Sequence, residues 1–411
     1  MKLLVVGFNA RPLAKAAVQA GHEIGVIDYF GDIDLLKLTK NCFTVLRQKP
    51  NEPLHRPLHR KPAEYLYYLA EIMADEQGDF DGILLGSAFD RYPEIVEKFG
   101  RIGPKVYANE AKKFAIVRNR EKINALAKKA GFFIPTIKKI ANLDELKKEI
   151  DDFIFPVVTR RDGGGGGAGI RIWQTKDELI EHFSEREIDV DKELWIQEYI
   201  DGIDASASVI CMNETVQILS INRQLIGDKK LNAPGDFAYC GNVVPLDEPS
   251  YMNNNQFMRK LVANIKQLFS ELKLIGSNGI DFVIKDDKVY FMEINPRFQG
   301  SIECVQYATG LNVVHLHLDA FEGVLYDLHE TPKYKRYGLK GILFSNLEQP
   351  FPVKKYPKSK WIVDRTQYNT LLENNDPFCS IIMPVKNPKK GFVEIYHLAE
   401  KIMEMNQENK S

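Results

Sequence analysis

Residues 279–301 read GIDFVIKDDKVYFMEINPRFQGS, and the period of this stretch decides what its polar residues can do together. Ile280, Phe282 and Ile284 alternate with Asp281 and Val283, Asp286-Asp287-Lys288 turns the chain, and Val289-Tyr290-Phe291-Met292 returns as a second strand. In such a hairpin Asp281 lies across from the end of the second strand. Glu293 and Asn295 are two residues apart, so both side chains leave one face of an extended segment. Arg297, again two residues on, shares that face. Oxygen donors suit a hard cation such as Mg²⁺, usually held by one or two carboxylates plus substrate phosphates. A planar guanidinium meets phosphate with a fork of donors. A surface hairpin with solvated charges would explain any one of these residues, but not all four at one spacing.

The chain before this hairpin alternates strands and helices. KLLVVGF, an alanine-rich stretch ending at Gly21, and Ile24 to Asp28 read as strand, glycine turn, helix and strand. Gly7 is followed by bulky Phe8 and Asn9, far from the GxGxxG fingerprint, so a dinucleotide site is not expected there. Asp28 reads as turn chemistry. Residues 48–62, QKPNEPLHRPLHRKP, form an extended surface loop, and Pro57 keeps His55 and His59 from sharing a helix face. A helix from about Ala63 to Asp75, the strand GILLGS and a helix after Tyr92 continue the pattern to about residue 105.

Four stretches then follow in order. NREKINALAKKAGFFIPTIKKI reads as a helix from Glu121, stopped by Gly131, then a strand; FPVVTRRDGGGGGAGIRIW reads as a strand, the run Gly163-Gly164-Gly165-Gly166-Gly167, and a returning strand. Glycines let backbone N–H groups form an anion-binding nest, although a glycine run alone also suits a flexible hairpin. ELWIQEYIDGIDASASVI is an apolar strand entering a turn at Asp201-Gly202, and SINRQLIGDKKLNAPGDFAYCGNVVP reads as a wall for a second substrate. In that wall Arg223 and Gln224 are better candidates to face a substrate than Lys229 and Lys230, which belong to a solvated turn.

With these elements assembled, the chain resembles the ATP-grasp superfamily, whose members carry an acid followed on the next strand by Glu-x-Asn-x-Arg. The resemblance implies that Asp281, Glu293 and Asn295 bind magnesium and that Arg297 contacts the transferred phosphate. It implies that Arg120, eleven positions before Gly131, and Arg160, on the strand before the glycines, clamp ATP phosphates under a mobile Gly163–Gly167 loop. Glu198, Tyr199 and Ile200 would line the adenine pocket and Asp204 would hold ribose, where a Glu is commoner in the family. Many members have Lys at the first two basic positions; the large subunit of carbamoyl-phosphate synthetase uses arginine there. Arginine does not release protons at neutral pH, so both would be electrostatic clamps. The tail, with GFNARPLAKAA and DYFGDID, also looks like a group of archaeal-type ATP-grasp proteins loosely described as carboligase-related.

The expected architecture is α/β: a Rossmann-like domain over residues 1–105, an ATP-grasp domain over 106–325 with a lid at about 132–197, and a small β-rich C-terminal cap over 330–411. Size and composition agree, since 411 residues with 44% hydrophobic content can bury two or three cores. A net charge of −1 gives no footprint of the kind nucleic-acid binders show. Five dispersed cysteines without a CxxC pair suggest neither a zinc site nor a disulfide frame and fit a reducing cytosol. No apolar run near the start is long enough for a signal peptide or membrane span, so a cytoplasmic protein without membrane partners is expected. His315 and His317, two apart on a helix, cannot face one ligand and read as packing or surface residues.

The function expected from the resemblance is an ATP-dependent carboxylate-amine ligase, with Mg²⁺ or a substituting Mn²⁺. It would join small-molecule carboxylate and amine substrates through an acyl phosphate in amino-acid or cofactor biosynthesis; a homodimer is compatible with it. Arg297, Arg223 and Gln224 are the expected catalytic residues. Two alternatives stand beside this reading: a bicarbonate-using carboxylase or carbamoyl-phosphate-type enzyme, and a non-catalytic ATP-binding regulatory protein. No Ala-Met-Lys-Met biotin-carrier motif occurs in the chain.

Overall fold

Leu3 to Val6 are all fully buried, as a strand covered on both faces requires. A computed structural model describes residues 1–54, 61–161, 165–185, 194–325 and 333–407; the loop residues His55, Pro57 and His59 and the start of the 330–411 tail lie outside the described residues. Strands β1 (Lys2–Gly7), β2 (Glu23–Asp28), β3 (Cys42–Thr44), β4 (Gly82–Leu85) and β5 (Lys105–Tyr107) form a parallel sheet in the order β3-β2-β1-β4-β5. Leu3 and Val5 pack with Leu13, Ala14 and Ala17 of the helix Arg11–Gln19, while Leu4 and Val6 pack with Leu66, Ala70 and Met73 of the helix Pro62–Gln77. At the carboxyl edge, the Asp28 carboxylate accepts from the backbone N–H groups of Ala10, Phe30 and Gly31. The turn where a dinucleotide fold cradles pyrophosphate is therefore closed by the chain's own carboxylate.

An antiparallel sheet of β6 (Ile137–Ile140), β7 (Val157–Arg161), β8 (Ile170–Trp173) and β9 (Leu194–Glu198) runs in the order β6-β9-β7-β8. Its core gathers Trp173, Leu146, Leu179 and Ile196. The Trp173 indole N–H donates to Thr159 Oγ1 at 2.8 Å, so the large ring is buried with its polar atom satisfied.

The remaining strands are β10 (Ile203–Met212), β11 (Thr215–Ile226), β12 (Tyr239–Val244), β13 (Ile275–Lys285), β14 (Lys288–Asn295), β15 (Tyr337–Phe344), β16 (Phe351–Pro352), β17 (Ile362–Val363), β18 (Leu371–Leu372) and β19 (Pro377–Val385). All but the β16–β18 pair join one antiparallel sheet in the order β14-β13-β10-β11-β12-β15-β19-β17. One face is apolar: Ala205, Ala207, Ile218, Ile280 and Phe282 pack on Leu261, Ile265, Leu268 and Phe269 of the helix Asn255–Leu272. The opposite face carries buried Ser206, Ser208, Asn222 and Asn242, the polar floor of the site. The C-terminal strands continue this sheet edge to edge, Val243 of β12 pairing with Leu339 of β15. The last helix begins at Pro388, where Asn387 accepts from Lys390 N and proline suits a first turn. Among the described residues, no helix is long and apolar enough to cross a membrane.

Candidate functional site

The β13–β14 hairpin closes through Asp286 and Asp287, whose φ values of 49° and 58° match a tight turn that follows strand twist. Register then sets Asp281 directly across from Glu293, with a bulge between Asp281 and Phe282. Opposed like charges destabilise a strand pair. Burial, and next the nearby Glu293, push the Asp281 carboxyl up to about 8. Two amides steady it: Gln224 Nε2 donates to one oxygen and Asn295 Nδ2 to the other, each at 3.0 Å. The Asn295 carbonyl oxygen accepts from Arg297 Nη2 at 3.2 Å and keeps a second lone pair.

Cations surround this acidic pair. Arg160 of β7 and Arg118, which ends the helix Ala111–Arg118, bring Nη atoms to 4.0 and 3.8 Å from Glu293 Oε2. Arg297 Nε donates to both oxygens of Asp90 at 3.0 and 2.8 Å, and its Nη1 donates to Phe298 O at 2.8 Å. Asp90 follows β4, so the carboxyl edge of the parallel sheet meets the hairpin here. Sequence reading singled out neither Asp90 nor Arg118. Arg118 stands only two residues before Arg120, and an i,i+2 pair divided by a helix break cannot be ranked by spacing. Arg120 opens the helix Arg120–Lys129 with its guanidinium 5.6 Å from the centre of the Trp195 ring.

On the lid side, Gly163 and Gly164 lie outside the described residues. Gly165 to Gly167 fold against the segment before β12: Tyr239 N donates to Gly166 O at 3.0 Å, and a Cβ on Gly167 would come within 1.7 Å of Phe237 O. Glu198 ends β9, its backbone N donating to Thr136 O and its carboxylate accepting from Thr136 N. Tyr199 and buried Ile200 follow, and the Tyr199 ring meets Phe237 edge-on at 6.1 Å. Asp204 opens β10, and burial alone pushes its carboxyl up to about 6.

Arg223 does not join this group. Strand alternation sends Gln224 to Asp281 and turns Arg223 to the other face, where it pairs with Asp247 at 2.8 Å and lies over the Phe392 ring. The two-residue period of the strand thus separates Arg223 from Gln224, its neighbour in sequence. Among the described residues, no group of three His, Cys, Asp or Glu could hold a metal ion alone. Two opposed carboxylates and an amide oxygen fit a cation that completes its shell with phosphate and water, as Mg²⁺ does.

Residues 119–301 match a family described as the ATP-grasp domain. The match covers a little under half of the chain. Asp281, Glu293, Asn295 and Arg297 fall within it, and Asp90 and Arg118 lie outside. An uncharacterised protein of Methanocaldococcus jannaschii is 26% identical over 93% of this chain and 88% of its own length. The carbamoyl phosphate synthase large chain of Saccharolobus islandicus is 26% identical over 61% of this chain, which spans only 23% of that relative. Among solved structures, biotin carboxylase of Campylobacter jejuni superimposes with a TM-score of 0.72 at 15% identity, over 96% of this chain and 89% of that one. The L-amino acid ligase of Bacillus licheniformis gives 0.69 at 15% identity, over 97% of each chain. These two likenesses show a fold shared over nearly the whole chain, and a shared fold does not choose between their reactions.

Proposed function

We propose that this protein is an ATP-dependent ligase that activates a small-molecule carboxylate and passes it to an amine. The observation that carries the reading is the opposed pair Asp281 and Glu293, braced by Gln224 and Asn295 and ringed by Arg118, Arg160 and Arg297. A carboxylate oxygen of the substrate attacks the γ-phosphorus of ATP, the bond to the β–γ bridging oxygen breaks, and ADP leaves. The amine nitrogen then attacks the acyl carbon, phosphate departs, and the amine gives up a proton. Phosphoryl transfer of this kind depends on positioning and charge neutralisation. Mg²⁺, when bound by Asp281, Glu293 and Asn295, would offset charge between the β- and γ-phosphates. Arg160 and Arg297 act as fixed positive charge. Asp204 holds the ribose, Tyr199 and Ile200 line the base pocket, and Gly165–Gly167 cover the phosphates so that water does not reach the acyl phosphate.

The likeness to an amino acid ligase is one of fold and leaves the acceptor to experiment. ADP release measured across amino acids, amines and small carboxylates, with hydroxylamine as trap and mass spectrometry of products, tests this. Hydroxamate formation from one carboxylate, dependent on MgATP, is expected. ADP release stimulated by bicarbonate alone would replace the reading with a carboxylase, and no ADP release with any substrate would leave a nucleotide-binding regulator.

A further inference from the structure

Asp90 belongs to the loop after β4, outside the ATP-grasp match, yet it grips two guanidiniums at once. Its carboxylate takes Arg297 Nε on both oxygens, at 3.0 and 2.8 Å, and has Arg118 Nη2 3.2 Å from Oδ1. Arg118 Nε also donates to the Asp90 backbone oxygen at 3.1 Å. Burial would push this carboxyl up, but Arg297 and then Arg118 outweigh it and hold Asp90 below the usual carboxylate range. The carboxylate is therefore an anion at neutral pH, and the pairing is charge-assisted.

The grip leaves the working ends of both arginines directed at the acidic pair. Arg297 commits one N–H each from Nε, Nη1 and Nη2 to Asp90, Phe298 O and Asn295, and a guanidinium has donors beyond those three. Arg118 commits Nε and Nη2 to Asp90, while its Nη1 faces Glu293 at 3.8 Å, too far for a hydrogen bond. The two come from separate elements, a helix end and the turn after β14, and Asp90 is the residue that touches both.

We propose that Asp90 is a positioning residue that sets Arg118 and Arg297 as a paired clamp, and that Arg118 contacts the transferred phosphoryl group together with Arg297. This rests on the ATP reading of the site. A salt bridge that merely joined the sheets would affect stability. A clamp affects binding of a species that resembles phosphate in flight, because fixed donors gain most where charge develops.

The test titrates MgADP, and MgADP with aluminium fluoride as a phosphoryl mimic, into the full chain by calorimetry, for wild type, Asp90→Asn, Asp90→Glu and Arg118→Met. Wild type should bind the mimic complex about tenfold or more tightly than MgADP alone. Asp90→Asn and Arg118→Met should lose most of that gain while their MgADP affinity stays within about threefold, and Asp90→Glu should recover part of it. Arg118→Met keeps the Asp90–Arg297 pair, so it carries the test if Asp90→Asn does not fold. Undiminished gain in both variants, or a wild type that binds MgADP without gaining from the mimic, overturns the clamp alone. A wild type that binds no MgADP overturns the nucleotide reading beneath it.

Discussion

Gln224 and Arg223 show how much one residue of strand register decides. Gln224→Ala removes one of two amides holding Asp281 and should lower kcat about tenfold, the effect of losing one hydrogen bond to a buried carboxyl group. Arg223→Ala breaks a partly exposed pair with Asp247 away from the site and should leave kcat within about twofold. Steady-state kinetics on the two variants checks both. The acidic hairpin was legible because its period is local: Asp281, Glu293 and Asn295 come together through one turn and one register. Asp90 was not legible, since it reaches Arg297 across 207 positions of sequence, and no local pattern encodes which acid of a distant loop will arrive. Arg118 was hidden by Arg120, which has the helix-start position but lies over Trp195.

Among the elements, the glycine loop is the one whose role depends on backbone shape. Gly167 has φ +85° and no room for a Cβ beside Phe237 O, whereas Gly165 has open space around it. Gly167→Ala should raise the KM for ATP several-fold by lifting the loop off Phe237, and Gly165→Ala should leave it near wild type; ATP-dependent kinetics with melting curves separates this from unfolding. The helix Val313–Phe321 is tied in differently. His317 Nδ1 accepts from Ser277 N at 2.8 Å, which leaves Nε2–H to donate to Tyr107 O at 2.9 Å. Burial pushes this imidazole from the usual 6.5 down to about 4. The unfolded chain therefore takes up its proton first as pH falls, so the contribution is intact above pH 6.5 and is lost between there and pH 4. That loss is about 3 kcal/mol, and His317→Gln should flatten this segment of the stability–pH curve. The sequence placed His317 on a helix, in packing or at the surface, but the two strands it bridges lie far away along the chain.

At the scale of the whole molecule, the parallel sheet, the four-stranded sheet of β6 to β9 and the large antiparallel sheet were each foreshadowed by hydrophobic period, while their joining was not. Edge-to-edge pairing of β12 with β15 makes the C-terminal strands part of the sheet that carries Asp281, and pairing partners cannot be read from alternation alone. A buried ion cluster ties the same regions together: Arg11 of the first helix pairs with Glu303 and with Asp364, beyond β17, and is 3% exposed. Arg11→Met would take from buried Asp364 its paired cation and leave Glu303 with Lys15, and should cost about 3–5 kcal/mol of stability in a denaturant titration. Breaking the exposed Lys129–Glu271 pair should cost under about 1 kcal/mol. Glu293→Ala tests most directly the acidic pair at the meeting of these sheets. ADP release at saturating Mg²⁺ should fall by about a hundredfold or more with an unchanged melting curve, and turnover equal to that of the wild type would contradict the assignment.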